Sequence, residues 1–290
     1  MKVPVKVDGR ELTLSNLDKV LYPDFGFTKA EIIDYYSRIA PVLLPHLRGR
    51  PLTVKRYPNG VGSQFFFEKN APEHTPGWVR RARLPVPGST KNRESIDFAI
   101  LDDLPSLVYY ANLAALELHV PQWRVDDDGA ALPPDTLVFD LDPGPPATIV
   151  ECCRVALVLR ELLAAEGLTA RPKTSGNKGM QLYADWDCRE EPSVYAKRLA
   201  QLLAKEQPAE VVSVMSKKAR PGKVFIDWSQ NNPAKTTVAP YSLRARERPT
   251  VSTPLMWEEV EACERAEDLV FEAHDVLARV EKHGDLFGRA

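Results

Sequence analysis

At 290 residues, 44% hydrophobic and 27% charged, the chain can bury a sizeable core as one large domain or two intimate lobes, and its composition excludes a disordered protein. A net charge of -2 and a pI near 6.3 exclude general nucleic-acid affinity, because phosphate binding needs Lys and Arg; only local basic surfaces remain, at Arg80, Arg81, Arg83, Lys91 and Arg93 and at Lys217, Lys218, Arg220 and Lys223. No stretch approaches the roughly 20 apolar residues of a membrane span, and Met-Lys-Val-Pro-Val-Lys opens no signal peptide, so the cytoplasm is expected.

Val3, Val5 and Val7 alternate up to Asp8-Gly9, and Leu12 and Leu14 follow, which predicts a hairpin with a primed turn. Lys6-Val7-Asp8-Gly9 also matches the short lysine motif of nucleotidyl-transferring ligases, but a four-residue match inside a hairpin turn, with no companion motif, is set aside. Thr28 with Glu31 forms a capping box for a helix striped by Ile32, Ile33, Tyr36 and Ile39. Strands are expected at 51 to 57 and 64 to 68, a helix at about 105 to 117, and a strand at 118 to 123. The polar, Pro-rich stretch Asp126 to Asp135 is the candidate boundary between lobes.

Beyond it come a strand at 136 to 142, a helix at about 147 to 166 closed by Gly167, strands near 169 to 173 and 180 to 184, a helix at about 193 to 206, a strand at 223 to 228 and two C-terminal helices. From 136 to 228 this is the order of a split βαβ, or ferredoxin-like, unit. Cys152, Cys153, Cys188 and Cys263 lack CxxC spacing and read as buried small apolar residues.

Asp140 and Asp142 alternate with Phe139 and Leu141, so both carboxylates share one strand face, their Cα atoms roughly 6.6 Å apart. Two like charges so placed need a cation, and carboxylate oxygens favour Mg²⁺ or Mn²⁺. The bland alternative is a turn at Asp142-Pro143-Gly144, and an acid pair of this kind suits a glycosyltransferase as well as a polymerase. Asp227 sits in a second apolar alternation with Val224, Ile226 and Trp228, and the ferredoxin-like order allows it to join the pair; three acids can hold two divalent ions.

The loop Ser175 to Gly179 offers backbone N–H groups, a hydroxyl and Lys178 to an anion, although it is not a Walker loop and a plain Gly-rich hairpin would look the same. Lys235 and Arg244 follow Asp227 in a loop-rich stretch and matter only if the fold brings them to the acids. Phe65-Phe66-Phe67 cannot all face one core, which leaves a base-stacking platform or a second packed layer open. His46, His74, His274 and His283 read as ordinary, and His119 by itself as structural.

Taken together, the residues resemble the polymerase domain of bacterial end-joining ligase D and its stand-alone primase-polymerase relatives, in the archaeo-eukaryotic primase superfamily. The resemblance covers nearly the whole chain. It rests on Asn16-Leu17-Asp18-Lys19-Val20-Leu21-Tyr22-Pro23, Lys55-Arg56-Tyr57-Pro58-Asn59-Gly60, Phe66-Phe67-Glu68-Lys69, His119-Val120-Pro121-Gln122-Trp123, Phe139-Asp140-Leu141-Asp142-Pro143-Gly144, Thr174-Ser175-Gly176, Asp227-Trp228-Ser229-Gln230-Asn231-Asn232 and Ala239-Pro240-Tyr241-Ser242-Leu243-Arg244.

It implies an α+β fold, a primase-polymerase core with a ferredoxin- or RRM-like unit packed against an N-terminal α/β lobe, forming a single domain over 1–290 with lobes at about 1–130 and 131–290. Asp140, Asp142 and Asp227 become the catalytic, metal-binding acids for two Mn²⁺ or Mg²⁺ ions. Lys55, Phe66, Phe67, His119, Ser175, Lys178, Gln181, Gln230 and Arg244 become nucleotide-binding residues, Asn16, Lys19 and Lys29 a pocket for a DNA 5′-phosphate, and Arg220 a DNA contact.

The implied activity is template-dependent, gap-filling nucleotidyl transfer that favours ribonucleotides. Its partners would be gapped or broken 5′-phosphorylated DNA, NTPs or dNTPs, an ATP-dependent DNA ligase and an end-binding protein, in the cytoplasm at the nucleoid. One departure stands out: Gln181 occupies a position where these polymerase domains usually carry histidine, and glutamine can carry neither proton nor charge. This favours a stand-alone relative over ligase D itself. The alternatives are a ligase D polymerase module acting at double-strand breaks, a non-catalytic DNA-end binding module, and a glycosyltransferase.

Overall fold

The computed structural model describes residues 2–86, 93–187 and 190–288. Lys91 of the first basic cluster and Cys188 lie outside the described residues. The N-terminal hairpin pairs Lys2–Val7 with Arg10–Ser15 through Asp8 (φ +44°) and Gly9 (φ +82°), as a primed turn requires, and Lys6 is exposed beside it. The helix Lys29–Leu47 starts on the Thr28/Glu31 capping box, with Ile32, Ile33, Tyr36 and Ile39 buried.

Two sheets carry the molecule. The first has the antiparallel order 237–238, 115–120, 53–56, 66–68. The expected helix at 105 to 117 is a shorter helix, Leu104–Asn112, capped by Asp103; Ala114 turns the chain at φ +58° and Ala115–Val120 is a strand. Every residue of that strand is buried, so its apolar run shows no period of two and reads as a continuation of the helix. Asp126 to Asp135 falls mostly within a hairpin of Trp123–Val125 with Ala131–Pro134, and the Asp135 carboxylate accepts from Arg50 (2.7 Å) and Arg124 (2.9 Å).

The second sheet has the order 171–174, 180–185, 136–143, 224–227, 211–212, antiparallel except at the last pair. Its first four strands follow the ferredoxin-like order, and the short fifth strand is added at the edge. Helices Ile149–Ala165 and Pro192–Glu206 cover one face: Leu137, Phe139 and Leu141 join Cys152, Val155, Leu159, Leu199 and Leu203 in one core. Because side chains alternate across a strand, Val138, Asp140 and Asp142 must face the other way, and Val138 joins the core of the first sheet. Thus the acids are turned away from the helices and toward the N-terminal sheet. Residues 237–238 return to pair with His119 and Val120, and Tyr241, Leu243 and Val251 join the first core.

Candidate active site

Register brings the acids together. Asp140 lies directly opposite Asp227, and Asp142 is two residues along on the same face. Burial pushes the Asp140 carboxyl up to about 7, with Asp142 and Asp227 adding repulsion against the opposing hydrogen bond from Gln181. Asp142 is also raised, by burial and by Asp227, with Arg220 pulling the other way. None of the three acids forms an ion pair among the described residues.

Asp227 is differently engaged: it caps the turn at Trp228–Asn231, accepting from Ser229 N (3.0 Å), the Ser229 hydroxyl and Gln230 Nε2 (2.8 Å). Lys235 reaches it through Ser229. In this arrangement no three His, Cys, Asp or Glu side chains close around one metal-sized point among the described residues. The donor set nevertheless fits divalent ions, since the acids are hard oxygen donors, crowded together and without a countercharge in contact.

A second cluster is built around Glu117, which the sequence reading missed. Its buried carboxylate takes Lys55 Nζ (3.1 Å) and His119 Nε2 (2.9 Å) on Oε2, and the Ala245 N–H (3.1 Å) on Oε1. Arg244 Nε stands 3.4 Å from Oε1 as a charge contact without hydrogen-bond geometry. These neighbours hold Glu117 far below the usual carboxylate range, hydrogen bonding from His119 and the Arg244 charge outweighing burial. The His119 pKa is lowered by burial, with Glu117 opposing. Glu-Leu-His is a spacing of two, so strand geometry would have exposed this pair; the expected helix through 117 hid it.

The 174–179 loop touches both clusters. Arg244 Nη1 donates to the Ser175 carbonyl, and Thr250 donates to the Gly176 carbonyl at 2.8 Å. Gly176 has φ +65°, and a Cβ there would meet Arg244 Cγ at 2.6 Å; at Gly179 it would meet the Leu141 carbonyl oxygen at 2.0 Å, so neither position admits a side chain. The expected backbone cradle is differently used: the N–H groups of Ser175, Gly176, Asn177 and Gly179 all bond within the loop. Lys178 is exposed, while Gln181 is buried between Lys173 and Asp140.

Phe65, Phe66 and Phe67 are all exposed, at 45, 48 and 51%, so the packed-layer alternative does not hold. Phe65 stacks on Tyr57, while Phe66 and Phe67 pair across from Arg56 and Lys55. Asn16, Lys19 and Lys29 meet through backbone bonds, Lys19 N to the Asn16 carbonyl (3.1 Å) and Lys29 N to the Lys19 carbonyl (2.8 Å). Burial, with the Lys19 and Arg56 charges, lowers the Lys29 pKa to about 8, and neither lysine has a carboxylate partner among the described residues. Arg220 lies over the Phe225 ring at 3.7 Å, and Phe225 is the cross-strand partner of Asp142.

Comparison with known proteins places the chain in a family. Residues 28–287 match the model described as LigD, primase-polymerase domain. The multifunctional non-homologous end joining protein LigD of Mycolicibacterium smegmatis is 45% identical over 276 residues, covering 94% of this chain and 35% of that protein. The corresponding LigD DNA repair protein of Mycobacterium tuberculosis H37Rv is 45% identical over 291 residues (97% and 37%), and the bifunctional LigD of Bacillus subtilis 32% over 278 (94% and 43%).

The chain therefore spans between a third and a half of these relatives. The solved polymerase domain from Mycobacterium tuberculosis ligase D, in complex with DNA, superposes with a TM-score of 0.88 at 44% identity, covering 95% of this chain and 96% of that one. No described helix is long and apolar enough to cross a membrane. The shared fold and the family match agree: this chain belongs to the LigD primase-polymerase domain family.

Proposed function

We propose that the protein is a template-directed nucleotidyltransferase that extends a DNA 3′ end at a gap or break, with Asp140, Asp142 and Asp227 as the catalytic acids. The observation that carries this reading is the register of Asp140 opposite Asp227, with Asp142 on the same face and no ion pair to any of the three among the described residues. When bound there, two Mn²⁺ or Mg²⁺ ions would supply the charge that activates a 3′ hydroxyl and neutralises a leaving pyrophosphate. Asp140 and Asp142 would hold them from one strand; Asp227 would complete the set while Ser229 and Gln230 keep its carboxylate aimed.

Arg244, Lys55 and His119, gathered on Glu117, form a cation-rich wall for a triphosphate, to which Lys178 and the Ser175 hydroxyl add. Phe66 and Phe67 are free to stack on bases. Lys19, Lys29 and Asn16 are suited to a DNA 5′-phosphate, since two neighbouring lysines without a carboxylate partner attract an anion. Arg220, near Asp142, would contact DNA. A nearly neutral chain can thus bind DNA, because its few cations are placed where phosphates arrive.

Ribonucleotide preference, an ATP-dependent ligase and an end-binding partner belong to the same proposal, as do a single domain of two lobes (about 1–130 and 131–290) and a place at the nucleoid. The test is primer extension on a single-nucleotide gap bearing a 5′-phosphate, with Mn²⁺ and rNTPs or dNTPs. The natural chain should extend, and Asp140→Ala/Asp142→Ala should lose at least about 10³-fold in rate. Tight gap binding without extension by the natural chain would instead support a non-catalytic end-binding module.

A further inference from the structure

One rung of the catalytic sheet crosses four strands: Lys173 is opposite Gln181, Gln181 opposite Asp140, and Asp140 opposite Asp227. Lys173 is fully buried, yet its Nζ lies 2.6 Å from Gln181 Oε1, 2.6 Å from Ser252 Oγ and 3.0 Å from the Val238 carbonyl oxygen. Ser252 Oγ gives its own proton to the Thr174 carbonyl, so all three neighbours are acceptors. Only an ammonium has three N–H donors; a neutral amine would aim its lone pair at an acceptor. These three acceptors favour the ammonium form of Lys173 against burial and the Arg244 charge, which lower its pKa, with Asp140 opposing them.

That charge decides which way the Gln181 amide points. Its Oε1 takes the ammonium and, more weakly, the Tyr183 hydroxyl at 3.4 Å, while its Nε2 donates to Asp140 Oδ1 at 3.0 Å. A flipped amide would put NH₂ against NH₃⁺ and a carbonyl against a carboxylate, two repulsive contacts in place of two attractive ones. Among the described residues Asp140 Oδ2 receives no hydrogen bond.

We propose that Lys173 and Gln181 are positioning residues acting in series: the buried ammonium fixes the amide, and the amide holds Asp140 Oδ1 so that the carboxylate is set for a divalent ion. This rests on the assignment of the three acids as metal ligands, and it gives Gln181 a task toward the acid instead of toward the triphosphate.

The test is Mn²⁺ binding by titration calorimetry without nucleotide or DNA, alongside the KM for the incoming nucleotide. Gln181→Leu removes both bonds, Gln181→Glu keeps an acceptor for Lys173 but cannot donate to an ionised Asp140, and Lys173→Met removes the ammonium. Each should weaken Mn²⁺ binding by about tenfold, as when a group supporting a metal ligand is lost, with nucleotide KM little changed. The double variant Lys173→Met/Gln181→Leu should be no weaker than the worse single one, because the two act through one bond.

Wild-type Mn²⁺ affinity in Gln181→Leu and Gln181→Glu, or effects of Lys173→Met and Gln181→Leu that multiply, would overturn the proposal. Should Lys173→Met fail to fold, the two Gln181 variants still decide. If the natural chain binds no more Mn²⁺ than Asp140→Ala does, the metal assignment itself fails, and this proposal with it.

Discussion

The acid face and the Glu117 cluster are neighbours built on opposite electrostatic plans. Around Glu117, Lys55, His119 and Arg244 converge on one buried carboxylate, which is driven far below its usual range. On the acid face, like charges converge and burial drives Asp140 up to about 7. The first cluster is balanced before any ligand arrives; the second is short of positive charge. An arrangement that is costly in the free protein and relieved by cations is expected at a functional site, whereas a satisfied one serves to hold cations in place.

The comparison breaks most visibly if its balanced half is unbalanced. Glu117→Gln leaves Lys55 and Arg244 side by side without their carboxylate, so unfolding should cost about 3 kcal/mol less in a denaturant titration. The nucleotide KM should rise as well, since the cations lose their common anchor. A variant as stable as the natural chain would show that the carboxylate is not what holds them.

Acid and base should act on the two halves in opposite senses. Asp140 has a folded pKa above its unfolded one, so the metal-free protein keeps a proton that the unfolded chain releases, and its contribution to stability is lost as pH rises from about 4 through about 7. Glu117 has a folded pKa below its unfolded one, so its contribution is present above about pH 4.5 and is lost as pH falls below that value. Melting curves of the metal-free protein across pH should show both arms. The Mn²⁺-induced rise in Tm should grow between pH 5 and 8, because the ion replaces the proton; a shift independent of pH would contradict this.

Asp140→Asn removes one of the repelling charges, so the metal-free protein should gain about 1 kcal/mol while losing most of its Mn²⁺-induced shift. Loss of stability would mean that the acids are not in conflict. The smallest effect concerns the proposed 5′-phosphate contact at Lys19. Lys19→Ala should reduce the preference for a 5′-phosphorylated gap over a 5′-hydroxyl gap by roughly fivefold and lower the salt dependence of binding, without changing the rate at saturating DNA.

Much of this was present in local pattern. The capping box at Thr28, the primed turn at Asp8-Gly9, and the alternation that places Asp140 and Asp142 on one face are decided within a few residues, because backbone preference and a period of two are local properties. The order of strands and helices from 136 to 228 was legible for the same reason, and with it the ferredoxin-like sheet. The motif series was specific enough to indicate the family that comparison then showed.

Pairing across the sheets was another matter. Whether Asp227 would meet Asp140 depended on the register between strands some 80 residues apart, which no local pattern encodes. A strand buried on both faces at 115–120 carried no alternation, so Glu117 stayed hidden until the first sheet placed it among Lys55, Arg244 and the His119 ring. Lys173 reads as one more charged residue on a short strand; only the closing of Val238 and Ser252 over it makes it a buried ammonium with three acceptors. The sequence by itself determined which faces the acids occupy and which elements carry them. Tertiary structure alone decided their partners, because charge and hydrogen bonding act through space between residues that the chain keeps far apart.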